Sequence, residues 1–154
     1  IDEWAPPTDA GPTPITVTAN ALDSTDEDWY VISPLDNYTA DVAAGRNAYN
    51  FDAELTAGSG TYSFWIYKGD PDPTYMECAS TYSSTGYQEF NYYQQDLGEG
   101  VHTIPSDAKA CSGAGNSSFN QCTDLTEDWY IKVMRNKSAS ASCDAYTLTI
   151  TNGL

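Results

Sequence analysis

Apolar and polar residues alternate along three segments of the chain, residues 15–20, 49–55 and 146–151. Successive side chains of a β-strand point to opposite faces, so each segment is predicted to be a half-buried strand with one solvated face. Aromatic and β-branched runs predict further strands. These cover residues 28–33, 62–68, 75–80, 87–93 and 128–135.

Turn-forming residues separate the predicted strands, for example at Gly58-Ser59-Gly60 and in residues 69–73. No segment shows the apolar spacing of an amphipathic helix. About eight short strands joined by regular turns predict an all-β fold, an antiparallel β-sandwich. With 154 residues the chain is long enough for one domain with its own core.

Two segments depart from the strand-and-turn pattern. Residues 1–14 contain four prolines among small and acidic residues, which predicts an extended arm or linker ahead of a single domain at residues 15–154. Residues 94–125 form a Gly- and Ser-rich insertion that contains two cysteines and His102. A connection of this length in a compact domain is usually functional or contains a short strand, for which residues 101–104 are suited.

The charge balance is strongly acidic. Six basic residues against twenty-two acidic residues give a formal net charge of -16. Such a surface repels nucleic acid and anionic lipid, so neither is an expected partner. The acidity is compatible both with a soluble surface in salty surroundings and with carboxylates that pair with divalent cations. No run of apolar residues is long enough to predict a membrane span.

The four cysteines predict a disulfide framework and export from the cell, because none of their spacings is the short Cys-x-x-Cys spacing of zinc or redox sites. We favour Cys111–Cys122, which would close a small Ser- and Gly-rich loop, together with Cys78–Cys143. The alternative, Cys78–Cys111 with Cys122–Cys143, stays open. Glycosylation sequons occur in predicted turns, at Asn37, Asn116 and Asn136.

A short phrase occurs twice, in each case as an acidic turn that runs directly into an aromatic strand. Asp28-Trp29-Tyr30 in the first copy returns as Asp128-Trp129-Tyr130 in the second. In the second copy Trp129 alternates with Ile131 and Val133, which predicts that its indole lies in the core. The faces of Trp29 and Tyr30 are ambiguous from alternation alone.

The order of these segments resembles the bacterial pre-peptidase C-terminal domain, a module of secreted proteases and other exported proteins. The resemblance covers roughly residues 15–152 and includes Lys68-Gly69-Asp70 after an aromatic strand and the closing Ala145–Ile150. It implies a jelly-roll β-sandwich without catalytic activity that aids secretion, binds substrate or, in collagenase relatives, binds collagen with calcium support. It also implies that Tyr30 is buried with Ile32. The 94–125 insertion and the cysteines depart from that family.

The first acidic turn is a candidate calcium site, with Asp23, Asp26 and Asp28 as the metal ligands. Calcium binds six to eight oxygens, and a tight turn can supply several of them from carboxylates and carbonyls. The resembled family places calcium near this turn, with help from the segment before the first strand, where Asp2, Glu3 and Asp9 stand here. The alternative is that these aspartates only accept hydrogen bonds from turn amides.

Exposed aromatic residues are the candidate ligand contacts. If Tyr62, Phe64 and Ile66 are buried, Trp65 and Tyr67 point outward from the same strand, and Tyr93 and Tyr130 are exposed by the same alternation. Trp65, Tyr67 and Tyr93 are therefore predicted to bind ligand by stacking on a sugar ring or packing on a polypeptide. The alternative is that both faces of this strand are covered.

These patterns predict a secreted, non-enzymatic module that binds an extracellular protein or polysaccharide, with calcium support. His102 is the only histidine in the chain and has no nucleophile motif near it, so catalysis is not predicted. The alternative function is a structural subunit of an extracellular filament or surface layer. In that case the arm or the strand at residues 15–19 would be donated to another copy of the chain.

Overall fold

The computed structural model describes residues 14–33, 48–58, 60–76, 84–96, 121–122 and 128–152. Strands are the dominant elements of this part of the chain. In chain order they are β1 Ile15–Ala19, β2 Glu27–Ile32, β3 Ala48–Ala57, β4 Tyr62–Lys68, β5 Glu89–Asp96, β6 Gln121–Cys122, β7 Trp129–Arg135 and β8 Tyr146–Asn152. A 3-10 helix, Pro73–Tyr75, follows β4. The described residues contain no helix that is long and apolar enough to cross a membrane.

The strands form two sheets. The larger sheet has the order β1-β8-β3-β5-β6 and the smaller sheet the order β2-β7-β4. The pairing is antiparallel throughout, except that the two-residue β6 pairs parallel to the end of β5. The two copies of the acidic-aromatic phrase are direct neighbours in the smaller sheet, since β2 pairs with β7 along its whole length.

The inner faces of the two sheets pack together and form one apolar core. The larger sheet contributes Ala53, Leu55, Phe90, Tyr146, Leu148 and Ile150, and the smaller sheet contributes Ile32, Tyr62, Phe64, Ile66, Trp129, Ile131 and Val133. Rings meet between the sheets, with 5.0 Å between the centroids of Tyr62 and Tyr146 and 6.3 Å between those of Phe90 and Trp129. Burial of one such large side chain stabilises a fold by about 1.5–3 kcal/mol. The predicted all-β antiparallel sandwich is confirmed, and the indole of Trp129 lies in the core as predicted.

A buried arginine closes one end of this core. The guanidinium of Arg135 donates hydrogen bonds to the carbonyl oxygens of Ala21 (3.1 Å), Ser140 (3.1 Å) and Ser142 (2.9 Å) and to the hydroxyl of Tyr62 (2.7 Å). A planar group with five donors can satisfy several carbonyls at once. Arg135 therefore holds the turn before β2 and the segment before β8 against the end of the sandwich.

The predicted strand at residues 75–80 is wrong at its start. Residues 73–75 form the 3-10 helix, whose N-cap Asp72 accepts a hydrogen bond of 2.8 Å from the amide of Thr74. Met76 then makes one isolated bridge to Tyr67. Proline at the first helical position favours a helical turn over a strand, because its φ is already helical and it has no N–H to donate. Residues 77–80 lie outside the described part of the chain.

The predicted arm, apart from its last residue Pro14, and most of the predicted insertion also lie outside the described residues. Of the insertion, the structure describes residues 94–96, which extend β5 beyond its predicted end, and the two residues of β6. Strand β5 begins at Glu89, two residues later than predicted, because Tyr87 bridges to Phe64 of the other sheet.

Candidate functional site

Three side chains form a row across the outer face of the smaller sheet. Lys132 on β7 lies directly opposite Trp29 on β2 and directly opposite Trp65 on β4. Side chains at directly opposite positions share a face, with their Cβ atoms about 4.5–5.5 Å apart. The ammonium of Lys132 lies 5.5 Å from the ring centre of Trp29 and 5.5 Å from that of Trp65. These are cation–π distances.

Glu27 fixes one end of this row. Its carboxylate accepts a hydrogen bond of 3.0 Å from Nε1 of Trp29 and lies 3.5 Å from the ammonium of Lys132. An ion pair this exposed contributes about 0–1 kcal/mol to stability. Its effect is geometric, because one carboxylate holds both the indole and the ammonium in their relative positions. Trp29 nevertheless keeps 41% of its surface exposed.

Tyr67 packs against two members of the row, Trp29 and Lys132. Its ring centre lies 5.3 Å from that of Trp29 and 5.9 Å from the ammonium of Lys132. Tyr67 faces outward from β4, as predicted from alternation, yet it is 3% exposed and pairs with Met76 beside β4. The accessible ring surface of the row therefore belongs to the two tryptophans, and Trp65 is partly exposed.

A glycine sets the position of Trp65. Gly86 passes so close to β4 that a Cβ atom at this position would lie 2.9 Å from Cε2 of Trp65 and 2.9 Å from the carbonyl oxygen of Phe64. The φ of Gly86 is +63°, in the left-handed region that favours glycine. Tyr87, the next residue, exchanges two backbone hydrogen bonds of 3.0 and 2.7 Å with Phe64. The segment around Gly86 is thereby held against one edge of the indole.

An open groove of about 830 Å³ lies beside the row. The charged and large apolar residues of its lining include Glu27, Trp65, Met76, Lys132, Met134 and Lys137. The lining also includes residues that carry hydroxyl groups, Ser24, Ser84, Thr85 and Ser138, and in addition Tyr67, Pro73, Arg135 and Asn136. The groove therefore combines an aromatic plane, two ammonium groups and a rim of small polar side chains.

Tyr93, the third predicted ligand contact, is not on this sheet. It belongs to β5 of the larger sheet, where it pairs with Asn50 of β3. The side chain of Tyr93 is outside the described part of the structure. The predicted set is therefore divided, with Trp65 and Tyr67 together on one sheet and Tyr93 on the other.

Two of the predicted calcium ligands lie in the turn before β2. Asp23 accepts hydrogen bonds from the amide (2.8 Å) and hydroxyl (2.7 Å) of Thr25, and these lower the pKa of its carboxyl group. Asp26 accepts a hydrogen bond of 3.0 Å from the amide of Leu22. Both aspartates thus serve as acceptors for turn amides.

The third predicted ligand, Asp28, points toward the core side of the sheet. Its carboxylate accepts a hydrogen bond of 2.8 Å from the hydroxyl of Tyr146, which lies 2.5 Å from the hydroxyl of Tyr30. Burial, above all, raises the pKa of both tyrosines, and their shared hydrogen bond raises that of Tyr146 further. Among the described residues, no three His, Cys, Asp or Glu side chains are grouped so that they could hold one ion.

The two copies of the repeated phrase use their aspartates differently. Asp128 accepts a hydrogen bond of 2.5 Å from the hydroxyl of Ser33, which follows β2. Asp28 instead binds a tyrosine of the other sheet. Tyr30 packs against the core and Ile32 is buried, which resolves the ambiguity in the alternation of the first copy.

The predicted disulfides involve residues that are largely outside the described part of the chain. Cys143 is exposed and is not in a disulfide among the described residues. Cys78 and Cys111 are not described, and Cys122 is described in its backbone alone. Both pairings therefore stay predictions.

Comparison with models of protein families, with curated proteins and with solved structures finds no significant match to the chain. The site is therefore defined by its own geometry. Sequence reasoning identified Trp65 and Tyr67 but missed Trp29, Lys132 and Glu27 as members of the same cluster. The available signal was the strict alternation of β7, which places Lys132 on the face opposite the buried Trp129. The strand partners of Lys132 cannot be read from the sequence.

Proposed function

We propose that this chain is a secreted, non-catalytic β-sandwich module that binds an extracellular polymer, protein or carbohydrate, along the groove on the outer face of its smaller sheet. The observation that carries the proposal is the row Trp29–Lys132–Trp65, which presents two partly exposed indoles beside that groove. Large aromatic side chains whose positions are already fixed lose little conformational freedom on binding, so they are effective anchors.

The location of the row supports binding in preference to a purely structural role. The core side of the smaller sheet is filled by Trp129, Ile131 and Val133, all of them fully buried. The row stands on the other face, where Trp29 is 41% exposed. Its contacts with Lys132 stabilise the sheet, and they also hold both indoles in place for a ligand.

The resemblance to the pre-peptidase C-terminal domain is part of this proposal. The inward packing of Tyr30 and Ile32 supports it, since this is the orientation that the pattern of that family implies. The even number of cysteines, none of them at the spacing of a zinc or redox site, supports export from the cell. Calcium support, with Asp23 and Asp26 as turn ligands, belongs to the same proposal and rests on the density of carboxylates in that turn.

The test is a binding assay of the purified protein against immobilised polysaccharides and extracellular matrix proteins. Trp65→Ala and Trp29→Ala are each expected to weaken binding of any retained polymer at least tenfold. Leu22→Ala is the control, because Leu22 is an exposed large apolar residue (51%, against 41% for Trp29) outside the row. Retention that is unchanged in both tryptophan variants would place the binding site elsewhere.

A filament subunit is the second candidate function. It is favoured by the position of β1, which lies at one edge of the larger sheet in the described part of the structure and directly follows the predicted arm. An edge strand offers unpaired backbone groups to an added strand. Electron microscopy of the purified protein, with and without residues 1–14, tests this function, because deletion of the arm should abolish filaments.

A further inference from the structure

The groove is locally basic on an acidic protein. Three of the six basic residues of the chain line it, against one of the twenty-two acidic residues among its described lining. The guanidinium of Arg135 is committed to the interior, where it binds Ala21, Ser140 and Ser142. Lys132 and Lys137 remain as the cations of the groove, with Glu27 as their counter-charge.

The polar lining of the groove matches a sugar chain better than a protein surface. A sugar ring has an apolar C–H face, which stacks on an indole, and a rim of hydroxyl groups, which needs hydrogen-bond partners. The groove supplies the plane of Trp65 and the hydroxyls of Ser24, Ser84, Thr85 and Ser138. Ligand sites of this kind place a few polar groups around an apolar surface to fix orientation.

Lys132 adds a charge next to the stacking plane. Its ammonium is held 5.5 Å from the ring centre of Trp65, and its side chain is 18% exposed. A hydrogen bond between an ammonium and a carboxylate is about twice as strong as one between neutral groups. A sugar that stacks on Trp65 and carries a carboxylate on its own ring can therefore reach both groups at once.

We infer that the ligand of the groove is an acidic polysaccharide, a chain of sugars that carry carboxylates. This inference rests on the proposed polymer-binding function. The net charge of -16 opposes approach of such a chain from a distance. At physiological ionic strength this repulsion is screened beyond about 8 Å. The charges that line the groove therefore determine whether a bound acidic chain is attracted or repelled.

Removal of the charge of Glu27 should raise or lower the affinity for a ligand according to the charge of that ligand. Glu27→Gln removes the negative charge beside Lys132, and the amide oxygen of glutamine can still accept the hydrogen bond of Trp29. An acidic ligand should bind severalfold more tightly to this variant, a neutral ligand equally well, and a basic polypeptide more weakly. Glu54→Gln is the matched control, because Glu54 is an exposed residue of β3 on the other sheet and the net charge changes equally.

The experiment measures binding of a galacturonate pentamer, of the same pentamer with its carboxylates methyl-esterified, and of gelatin, by calorimetry in 0.15 M salt, once with calcium and once with EGTA, and each outcome is judged in both conditions. We expect the acid to bind at least tenfold more tightly than the ester. Lys132→Gln should remove this difference, and Glu27→Gln should strengthen binding of the acid. Circular dichroism and thermal melting of each variant show that it is folded.

Equal binding of acid and ester, or no strengthening in Glu27→Gln, would overturn the acidic ligand. Preferential binding of gelatin that depends on Trp65 would also overturn it, while the proposed polymer-binding function would stand. Binding of none of the probes would overturn the acidic ligand, and the polymer assay with the tryptophan variants then decides the proposed function separately.

Discussion

The indoles of Trp29 and Trp129 lie on opposite faces of the same three-stranded sheet, although each follows an aspartate and precedes a tyrosine. Trp129 is fully buried between the sheets, whereas Trp29 is 41% exposed beside the groove. Their strands are direct neighbours, and Trp29 pairs with Lys132 where Trp129 pairs with Ile32. The repeated phrase therefore supplies one side chain to the core and one to the candidate binding surface.

Replacement of Lys132 tests the stabilising part of the row. Lys132→Gln should lower the free energy of unfolding by about 1 kcal/mol, because cation–π contacts at exposed sites contribute about 0.5–1 kcal/mol. Urea denaturation measures this change. Lys137→Gln is the control, since Lys137 is an exposed lysine of the same groove. Equal effects of the two substitutions would show that the aromatic contacts of Lys132 do not stabilise the sheet.

Gly86 and Gly60 form a matched pair for the position of Trp65. Both have positive φ, but a Cβ atom at Gly60 would meet no atom within 4 Å, whereas at Gly86 it would meet Trp65 and Phe64 at 2.9 Å. Gly60→Ala should cost about 1 kcal/mol of stability from backbone strain alone. Gly86→Ala should cost clearly more and should alter the tryptophan fluorescence, because the ring of Trp65 must move.

Similar losses of stability in the two glycine variants, with unchanged fluorescence, would contradict the role of Gly86 in holding Trp65. Thermal melting and emission spectra of the same samples provide both measurements.

Arg135→Lys tests the closure of the core. A lysine retains the charge but cannot donate to the buried carbonyl of Ala21 and the part-buried carbonyls of Ser140 and Ser142 together, so at least one of these carbonyls loses its donor from residue 135. Each buried acceptor left without a partner costs about 1–3 kcal/mol. We expect a loss of about 2 kcal/mol or more in denaturant unfolding. A loss below 0.5 kcal/mol, the size of an ordinary surface substitution, would show that the arginine is replaceable.

The Tyr30–Tyr146 pair predicts sensitivity of the fold to alkaline pH. Burial raises the pKa of both hydroxyls above the ordinary value of 10.0. Up to that pH the folded and unfolded states both hold the protons, and the contribution to stability is fully present. As the pH rises further the unfolded chain releases protons that the folded protein retains, so stability falls, by at most about 1.4 kcal/mol per pH unit for each tyrosine and by less for the more exposed Tyr30.

Above pH 10 the free energy of unfolding should fall less steeply with pH in Tyr146→Phe than in the unmodified protein. The expected difference in slope is about 1.4 kcal/mol per pH unit, which corresponds to one proton. The substitution should also destabilise the protein at neutral pH, since the hydrogen bond to Asp28 is lost. Urea denaturation between pH 8 and 11.5 measures both effects. An unchanged slope in the variant would show that Tyr146 does not hold its proton more firmly in the folded state.

Calcium support is testable without knowledge of the ligand. If calcium binds the turn before β2, its addition to chelated protein should raise the melting temperature, by an amount equivalent to about 2.7 kcal/mol at a concentration of 100 Kd. Asp23→Asn combined with Asp26→Asn should abolish the shift, and Asp70→Asn in a different turn should not. A melting temperature that does not respond to calcium in the unmodified protein would end the calcium proposal.

Alternation was a reliable guide to the faces of individual strands. It placed Tyr62, Phe64 and Ile66 inside and Trp65 and Tyr67 outside, since the period of two is a property of the extended backbone itself. The strand predicted to begin at residue 75, from its aromatic and β-branched run, was wrong at its start, where a proline and an aspartate cap give the helical turn Pro73–Tyr75, because local turn chemistry there competes with strand pairing.

The sequence by itself determined the all-β class, the main strands and the burial of Trp129, because each follows from local propensity and from the two-residue period of a strand. The tertiary structure decided which strands became neighbours. Pairing of β7 with both β2 and β4 brought Lys132 between Trp29 and Trp65, which are separated from it by about one hundred and more than sixty positions along the chain. Pairing of β5 with β3 put Tyr93 on the other sheet, and the packing of the two sheets brought Asp28 to Tyr146. Register between distant strands depends on the packing of the whole core, so no local pattern could have assembled this site.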